Sequence, residues 1–306
     1  MKKNLNMYLA LLMIILPIGG FFLYQNFFTA GVAEIAEAKK SVSDQKSADA
    51  PLTAQAEPET GQGAEQEAVD IEPAVANEAA VVRTGCSYPS QILDLAEWKQ
   101  TLPTGSSKKP VEIKQASLAS YSLNPYFFPN ATCDGVVFRA PVNGVTTSGS
   151  GYPRSELREM KDGGKTLASW STSSGTHSMF IDQAITAVPK TKKHVVAGQI
   201  HDADDDVVVV RLEYPKLFVD INGKTGPTLD PNYTLGKRFT VKFVAANGQI
   251  KIYYNGSATP AYTMDKKSSG NYFKAGAYTQ SNCSKEKSCS DSNFGEVVIH
   301  KLTVQH

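Results

Sequence analysis

Three short segments of this 306-residue chain hold side chains that could do chemistry together: Arg154-Ser155-Glu156-Leu157-Arg158, Gln199-Ile200-His201 and Tyr272-Phe273-Lys274-Ala275-Gly276-Ala277-Tyr278-Thr279-Gln280. Read as strands, alternate residues share one face. Arg154, Glu156 and Arg158 then project together, as do Gln199 and His201, and so do Tyr272, Lys274, Tyr278 and Gln280. Leu157, Ile200, Phe273, Ala275 and Ala277 fall on the opposite face and suit a core. An open face with cations, an amide, an imidazole and a phenol is equipped to grip an anionic sugar polymer and move a proton on it. Each segment alone has a blander meaning: a strand-end histidine that only hydrogen-bonds, a rim tyrosine, a solvated charge ladder. Their conjunction is the signal.

The elements that must position them are mostly strands. Period-two stretches cover Val136–Ala140, His177–Ile185, Val195–His201, Val207–Tyr214, Lys216–Asn222, Arg238–Ala245, Gln249–Tyr254, Tyr272–Gln280 and Glu296–Val304. Asn247-Gly248 lies between two alternating runs, a strong hairpin signal, and Asn222-Gly223 and Asn255-Gly256 mark further turns. Ser90–Trp98 reads as a short capped helix. Pro153–Lys161 is ambiguous, because its residues are good helix formers and its proline suits a first helical turn. Many strands, turn signals and no internal repeat predict an all-β, antiparallel β-sandwich of the jelly-roll kind.

Around that domain the chain divides by composition. Residues 1–30 place Lys2 and Lys3 before an apolar run from Tyr8 to Tyr24, which predicts either a cleaved signal peptide or a retained transmembrane anchor. Both options keep the basic end in the cytoplasm and export the rest, so a membrane tether is one expectation and secretion the other. Residues 31–83 carry 11 Asp and Glu against 4 Lys and Arg and no aromatic residue, the composition of a disordered linker. Residues 84–306 carry 25 Lys and Arg against 19 Asp and Glu, a mildly basic domain suited to an acidic partner. Its four cysteines, in an oxidising compartment, favour disulfides over metal ligation. Three pairings are possible; closeness in sequence favours Cys283–Cys289, leaving Cys86–Cys133.

The three segments resemble the signature regions of the alginate lyases of polysaccharide lyase family seven, whose patterns run R-S/T-E-L-R, Q-I/V-H and Y-F-K-A-G-x-Y-x-Q. All occur here in order, and Leu93–Pro103 resembles the family's opening stretch. The resemblance spans residues 86–306 and settles Arg154–Arg158 as strand. It implies a jelly roll with a concave substrate groove and no bound cofactor, acting on alginate, an anionic polysaccharide, by β-elimination; a monomer is expected. It further implies that Arg154 and Gln199 meet the uronate carboxylate, with His201 beside them. Tyr278 would protonate the leaving oxygen and, when the two groups lie on the same side of the ring, also take the C5 proton; His201 is the base when they lie on opposite faces. Arg158 and Lys274 match substrate-contacting positions, with Glu156 orienting both arginines and Tyr272 and Gln280 beside them. Ile200 resembles members that accept guluronate-containing blocks.

Rival functions fit less well. A non-catalytic carbohydrate-binding module would not need the full proton-transfer set. A jelly-roll glycoside hydrolase needs two carboxylates flanking the scissile bond, and no strand offers E-x-D-x-E. No basic cluster or stacking motif points to nucleic acid. Asp202-Ala203-Asp204-Asp205-Asp206 crowds oxygen ligands but lacks the glycine and distal glutamate of an EF-hand loop, so a solvated turn is expected and no metal site.

Overall fold

The computed structural model describes residues 85–306; the expected targeting segment (1–30) and linker (31–83) lie outside them. In chain order the strands are β1 (Trp98–Ser106), β2 (Lys109–Ile113), β3 (Phe127–Pro129), β4 (Val136–Pro141), β5 (Arg154–Lys161), β6 (Thr166–Leu167), β7 (Thr176–Ala187) and β8 (His194–His201). They continue with β9 (Asp206–Glu213), β10 (Lys216–Ile221), β11 (Lys224–Asp230), β12 (Arg238–Ala246), β13 (Gln249–Tyr254), β14 (Tyr262–Asp265), β15 (Tyr272–Thr279) and β16 (Phe294–Gln305). One sheet runs β11-β10-β9-β8-β15-β5-β1-β2, with β6 on β5; the other runs β14-β13-β12-β7-β16-β4-β3. Every pairing is antiparallel, giving the expected jelly-roll sandwich.

The core lies between the sheets, where Leu157, Ile200, Phe273, Ala275 and Ala277 meet Phe138, Met179, Ile181 and Phe243 with no solvent exposure. This burial decides the ambiguous Pro153–Lys161 stretch. As strand β5 it pairs on both sides, with β1 and β15, and sends Leu157 inward. Tertiary pairing overrides helix propensity there.

A bulge in β8 sets which of its residues look outward. Val195 and Ala197 point into the core, so unbroken alternation along β8 would send Gln199 and His201 after them. Instead the β8–β9 register shifts between Val196 and Gln199, bringing Ile200 inward and turning Gln199 and His201 to the open face. Gly198 sits in that bulge at φ +104°, and a Cβ there would lie 2.8 Å from Ile181 Cδ1. The β15–β8 register shifts likewise between Lys274 and Tyr278. Gly276, at φ +136°, would there put a Cβ 2.5 Å from the Ser155 carbonyl oxygen.

The turn expectations hold: Asn222-Gly223, Asn247-Gly248 and Asn255-Gly256 all have positive φ at both residues and connect consecutive strands. The helix expected over Ser90–Trp98 does not form. Only Pro89–Gln91 makes a 3-10 turn; Asp94 then accepts the backbone N–H of Ala96 at 3.1 Å, a local bond that competes with helix, and Trp98 already opens β1. Leu93, Leu95 and Trp98 are buried from this non-helical path. Strands β1, β2, β3, β6, β11 and β14 lie outside the period-two stretches of the sequence. Pro103 and Gly105 mask β1, and Gly226 and Pro227 mask β11, which tolerates proline as an edge strand. Both expected disulfides, Cys86–Cys133 and Cys283–Cys289, are formed. Among the described residues, no helix is long and apolar enough to cross a membrane.

Candidate active site

The three signature segments are adjacent strands of one sheet, in the order β8, β15, β5. Across β15, Tyr272 lies opposite His201, and Lys274 sits between Gln199 and Arg158. Gly276 lies beside Glu156, and Tyr278 sits between Val196 and Arg154. Four residues of β8 lie between Val196 and His201. The phenol of Tyr278 and the imidazole of His201 therefore flank the row formed by Gln199, Lys274 and Glu156.

Glu156 is the hub of that row and is 1% exposed. Lys274 Nζ approaches its Oε2 at 2.6 Å, Arg154 Nη1 donates to the same oxygen at 2.9 Å, and Gln199 Nε2 donates to Oε1. Burial pushes the carboxyl pKa up, but the Lys274 and Arg154 charges and the hydrogen bonds more than offset it, and the group titrates below the usual range. Lys274, itself buried, is pushed down to about 8, by burial first and then by Arg154, against the pull of Glu156. Arg154 gives Glu156 its Nη1; its Nε is buried without a partner, and Nη2 makes no bond among the described residues.

The structure refines the roles expected of two side chains. Glu156 pairs with Arg154 and Lys274 rather than with both arginines. Arg158 turns from Glu156 to Tyr272: its guanidinium covers the Tyr272 ring at 3.9 Å and donates to the Glu159 carbonyl at 2.6 Å. Gln280 lies one residue beyond β15, buried, with its backbone N–H on the His194 carbonyl.

His201 is half-buried and stacks on Tyr272 with ring centroids 5.1 Å apart. Its Nδ1 lies 2.7 Å from the Asp202 carbonyl oxygen, which can only accept, so Nδ1 carries the proton and Nε2 presents a lone pair. Burial lowers the imidazole pKa, helped by Lys274 and opposed by the Asp202 bond, Glu156 and Asp205. A neutral imidazole with Nε2 free is the form of a general base. Tyr278 stands under Arg154, whose Cζ lies 3.8 Å from the ring centroid, and its hydroxyl is 2.8 Å from Ser150 Oγ.

Residues not anticipated extend the site. The loop between β4 and β5 supplies Ser150 and Tyr152, and Lys192 donates to the Tyr152 hydroxyl at 3.1 Å. On the open face of β9 and β10, Arg211 pairs with Glu213 at 2.9 Å and Asp220 at 3.1 Å. The alternation Arg211-x-Glu213 carried that signal; the loop residues carried none. The Asp202–Asp206 loop is a self-capped turn, since Asp202 Oδ1 accepts the Asp204 and Asp205 N–H groups at 3.0 Å. A cavity of about 720 Å³ lies elsewhere, lined by Trp98, Glu159, Trp170 and His306 among others, and includes none of these groove side chains. Its buried Glu159 is already bonded by Trp170 Nε1, Phe273 N and His306 Nε2.

Comparison with known proteins follows the same lines. The alginate lyase family pattern matches residues 93–306. A crystal structure of the alginate lyase from Corynebacterium sp. is 54% identical, with a TM-score of 0.70 over 72% of this chain and 99% of that one. An alginate lyase of polysaccharide lyase family 7 is 53% identical, with a TM-score of 0.68 over 72% of this chain and 98% of its own. An alginate lyase of Klebsiella pneumoniae is 26% identical, covering 73% of this chain and 93% of that protein.

Proposed function

The chain belongs to the alginate lyase family, and from that premise we propose that it cleaves alginate by β-elimination in the groove described above. The base takes the C5 proton of a uronate, the C4–O bond to the neighbouring sugar breaks, and its electrons leave with the oxygen. The product end carries a C4–C5 double bond, and the leaving oxygen takes a proton from the acid.

A proton α to a carboxylate is weakly acidic because its removal concentrates negative charge on that carboxylate. Preorganised donors that meet the charge as it develops lower the barrier. Arg154 supplies Nη2 for this, and the second amide proton of Gln199 assists. Glu156 and Lys274 position both by fixing Arg154 Nη1 and the first Gln199 proton. Tyr278 is the acid, and also the base when C5–H and the leaving oxygen lie on the same side of the ring. His201 Nε2 is the base for the opposite geometry. Arg158, Tyr272 and Gln280 border the substrate. The observation that carries this reading is the Arg154–Glu156–Lys274–Gln199 network, bounded on the same sheet by His201 and Tyr278.

The resemblance of the Gln199-Ile200-His201 segment to members that accept guluronate-containing blocks supports the same preference here; Ile200 is fully buried, so it would act only through the position of its neighbours. Two disulfides and the N-terminal pattern support export, as a secreted, periplasmic or surface-tethered protein. Incubation with block-defined alginates tests the activity: products absorbing in the near ultraviolet are expected from guluronate-containing blocks. A rise in reducing ends without that absorbance would indicate hydrolysis instead.

A further inference from the structure

We propose that Ser150 is a positioning residue for Tyr278, serving the phenol in both charge states through which it passes; this rests on the proton-transfer role given to Tyr278 above. Ser150 Oγ lies 2.8 Å from the Tyr278 hydroxyl, and either atom can donate. The same Oγ accepts the Tyr152 N–H at 3.0 Å and lies 3.3 Å from the Tyr152 carbonyl oxygen. A serine hydroxyl has one proton and two acceptor sites. While Tyr278 is protonated, it donates to Ser150, whose own proton turns to the Tyr152 carbonyl. When Tyr278 has given its proton to the leaving oxygen, the phenolate carries the charge and the Ser150 proton rotates onto it. No heavy atom moves. The phenolate recovers a proton from C5 of the substrate or from water, so the cycle closes.

Two features argue that this contact is built. Ser150 is the hydroxyl's only hydrogen-bond partner among the described residues, whereas the ring has its own supports in Arg154 at 3.8 Å and Tyr152 at 6.4 Å. The loop is also anchored on either side of the serine side chain. Lys108 Nζ donates to the Ser150 carbonyl at 2.8 Å and to Thr146 Oγ1 at 3.0 Å, and Asn282 Nδ2 donates to the Gly151 carbonyl at 2.9 Å. The hydroxyl is thereby aimed from the β1–β2 turn and from the segment that leads into the Cys283–Cys289 loop. A hydrogen bond to a charged oxygen is stronger than one to a neutral oxygen, so the contact favours the charged moment of the reaction.

The test uses Ser150→Ala, Ser150→Thr, Ser150→Cys and Tyr278→Phe, assayed for kcat and KM on alginate alongside melting temperature. Ser150→Ala should lower kcat roughly 10- to 100-fold, the loss of one hydrogen bond to a charged group, with KM changed less than about twofold. Ser150→Thr, which keeps the hydroxyl, should recover most of kcat, whereas Ser150→Cys, a weak donor of similar size, should not. A native kcat in Ser150→Ala, or equal losses in the Ala and Thr variants, overturns the inference. The reading beneath it fails separately: Tyr278→Phe with native turnover would remove Tyr278 from the chemistry, while an inactive Tyr278→Phe beside a native Ser150→Ala would remove only Ser150.

Discussion

Lys274 Nζ lies 2.6 Å from Glu156 Oε2, and both side chains are almost wholly withdrawn from water. A buried pair of this kind adds little net stability over apolar residues, but losing one partner strands the other charge. Its use here is positional: through Glu156 the lysine fixes Arg154 and Gln199, the two groups assigned to the substrate carboxylate.

Glu156→Gln should therefore damage stability and turnover together. The variant leaves Lys274 and Arg154 without their carboxylate, and a loss of about 3–5 kcal/mol is expected in urea unfolding. Activity should fall even at temperatures where the variant stays folded. Wild-type stability in Glu156→Gln would show that the ion pair is not the hub described.

The same groups predict the pH profile of kcat/KM, which reports the free enzyme. His201 must be neutral to accept a proton, and burial lowers its pKa, so the acid limb should lie below the usual imidazole value of 6.5. Above about 8, Lys274 loses its proton and Glu156 loses a cation, so the rate should decline from there. Lys274→Arg keeps its charge across this range, and its alkaline limb should move upward. An unmoved limb in that variant would take Lys274 out of the profile.

Glu286 links the Cys283–Cys289 loop to the β7–β8 connection. It accepts the Thr191 and Lys192 N–H groups at 2.8 Å, Ser281 Oγ at 2.7 Å and Asn293 Nδ2 at 3.0 Å. Burial raises its pKa, but the bonds from Asn293, Ser281, Lys192 and Thr191 outweigh this and hold it at about 2, against 4.5 for an ordinary glutamate. A depressed carboxylate pKa contributes stability above the unfolded value, and that stability is lost as pH falls from about 4.5 towards 2. Urea midpoints between pH 5 and about 2.5 should fall more steeply for the wild type than for Glu286→Gln. Parallel slopes would dissociate Glu286 from acid unfolding.

Much of the fold and site was legible because antiparallel strands write their faces at period two. Arg154, Glu156 and Arg158 alternate with core residues in the sequence as they do in β5, and the Asn-Gly pairs mark real turns. What escaped has specific causes. Asp94 diverted Ser90–Trp98 from helix by a local side-chain bond, and Pro103 and Pro227 disguised strands. Ser150 and Tyr152 reach the site from a loop whose path depends on distant tethers. The β8 bulge is the subtlest case, because strict alternation would have buried Gln199 and His201 beside Val195 and Ala197.

That bulge yields its own prediction. Gly198→Ala puts a side chain at φ +104° and against Ile181, a strain of roughly 1–3 kcal/mol. Where the bulge relaxes to relieve it, Gln199 and His201 are misplaced and turnover should drop well beyond the stability loss. Full activity in a destabilised Gly198→Ala would show that the outward turn of His201 does not need the glycine.

The most direct measurement pairs turnover with binding in Tyr278→Phe, following near-ultraviolet absorbance of products from alginate and, separately, retention of the polymer by the protein. Loss of only the hydroxyl should abolish product formation while the polymer is still held by the unchanged cations. Product release at close to the wild-type rate would contradict the assignment of the proton transfer to this phenol.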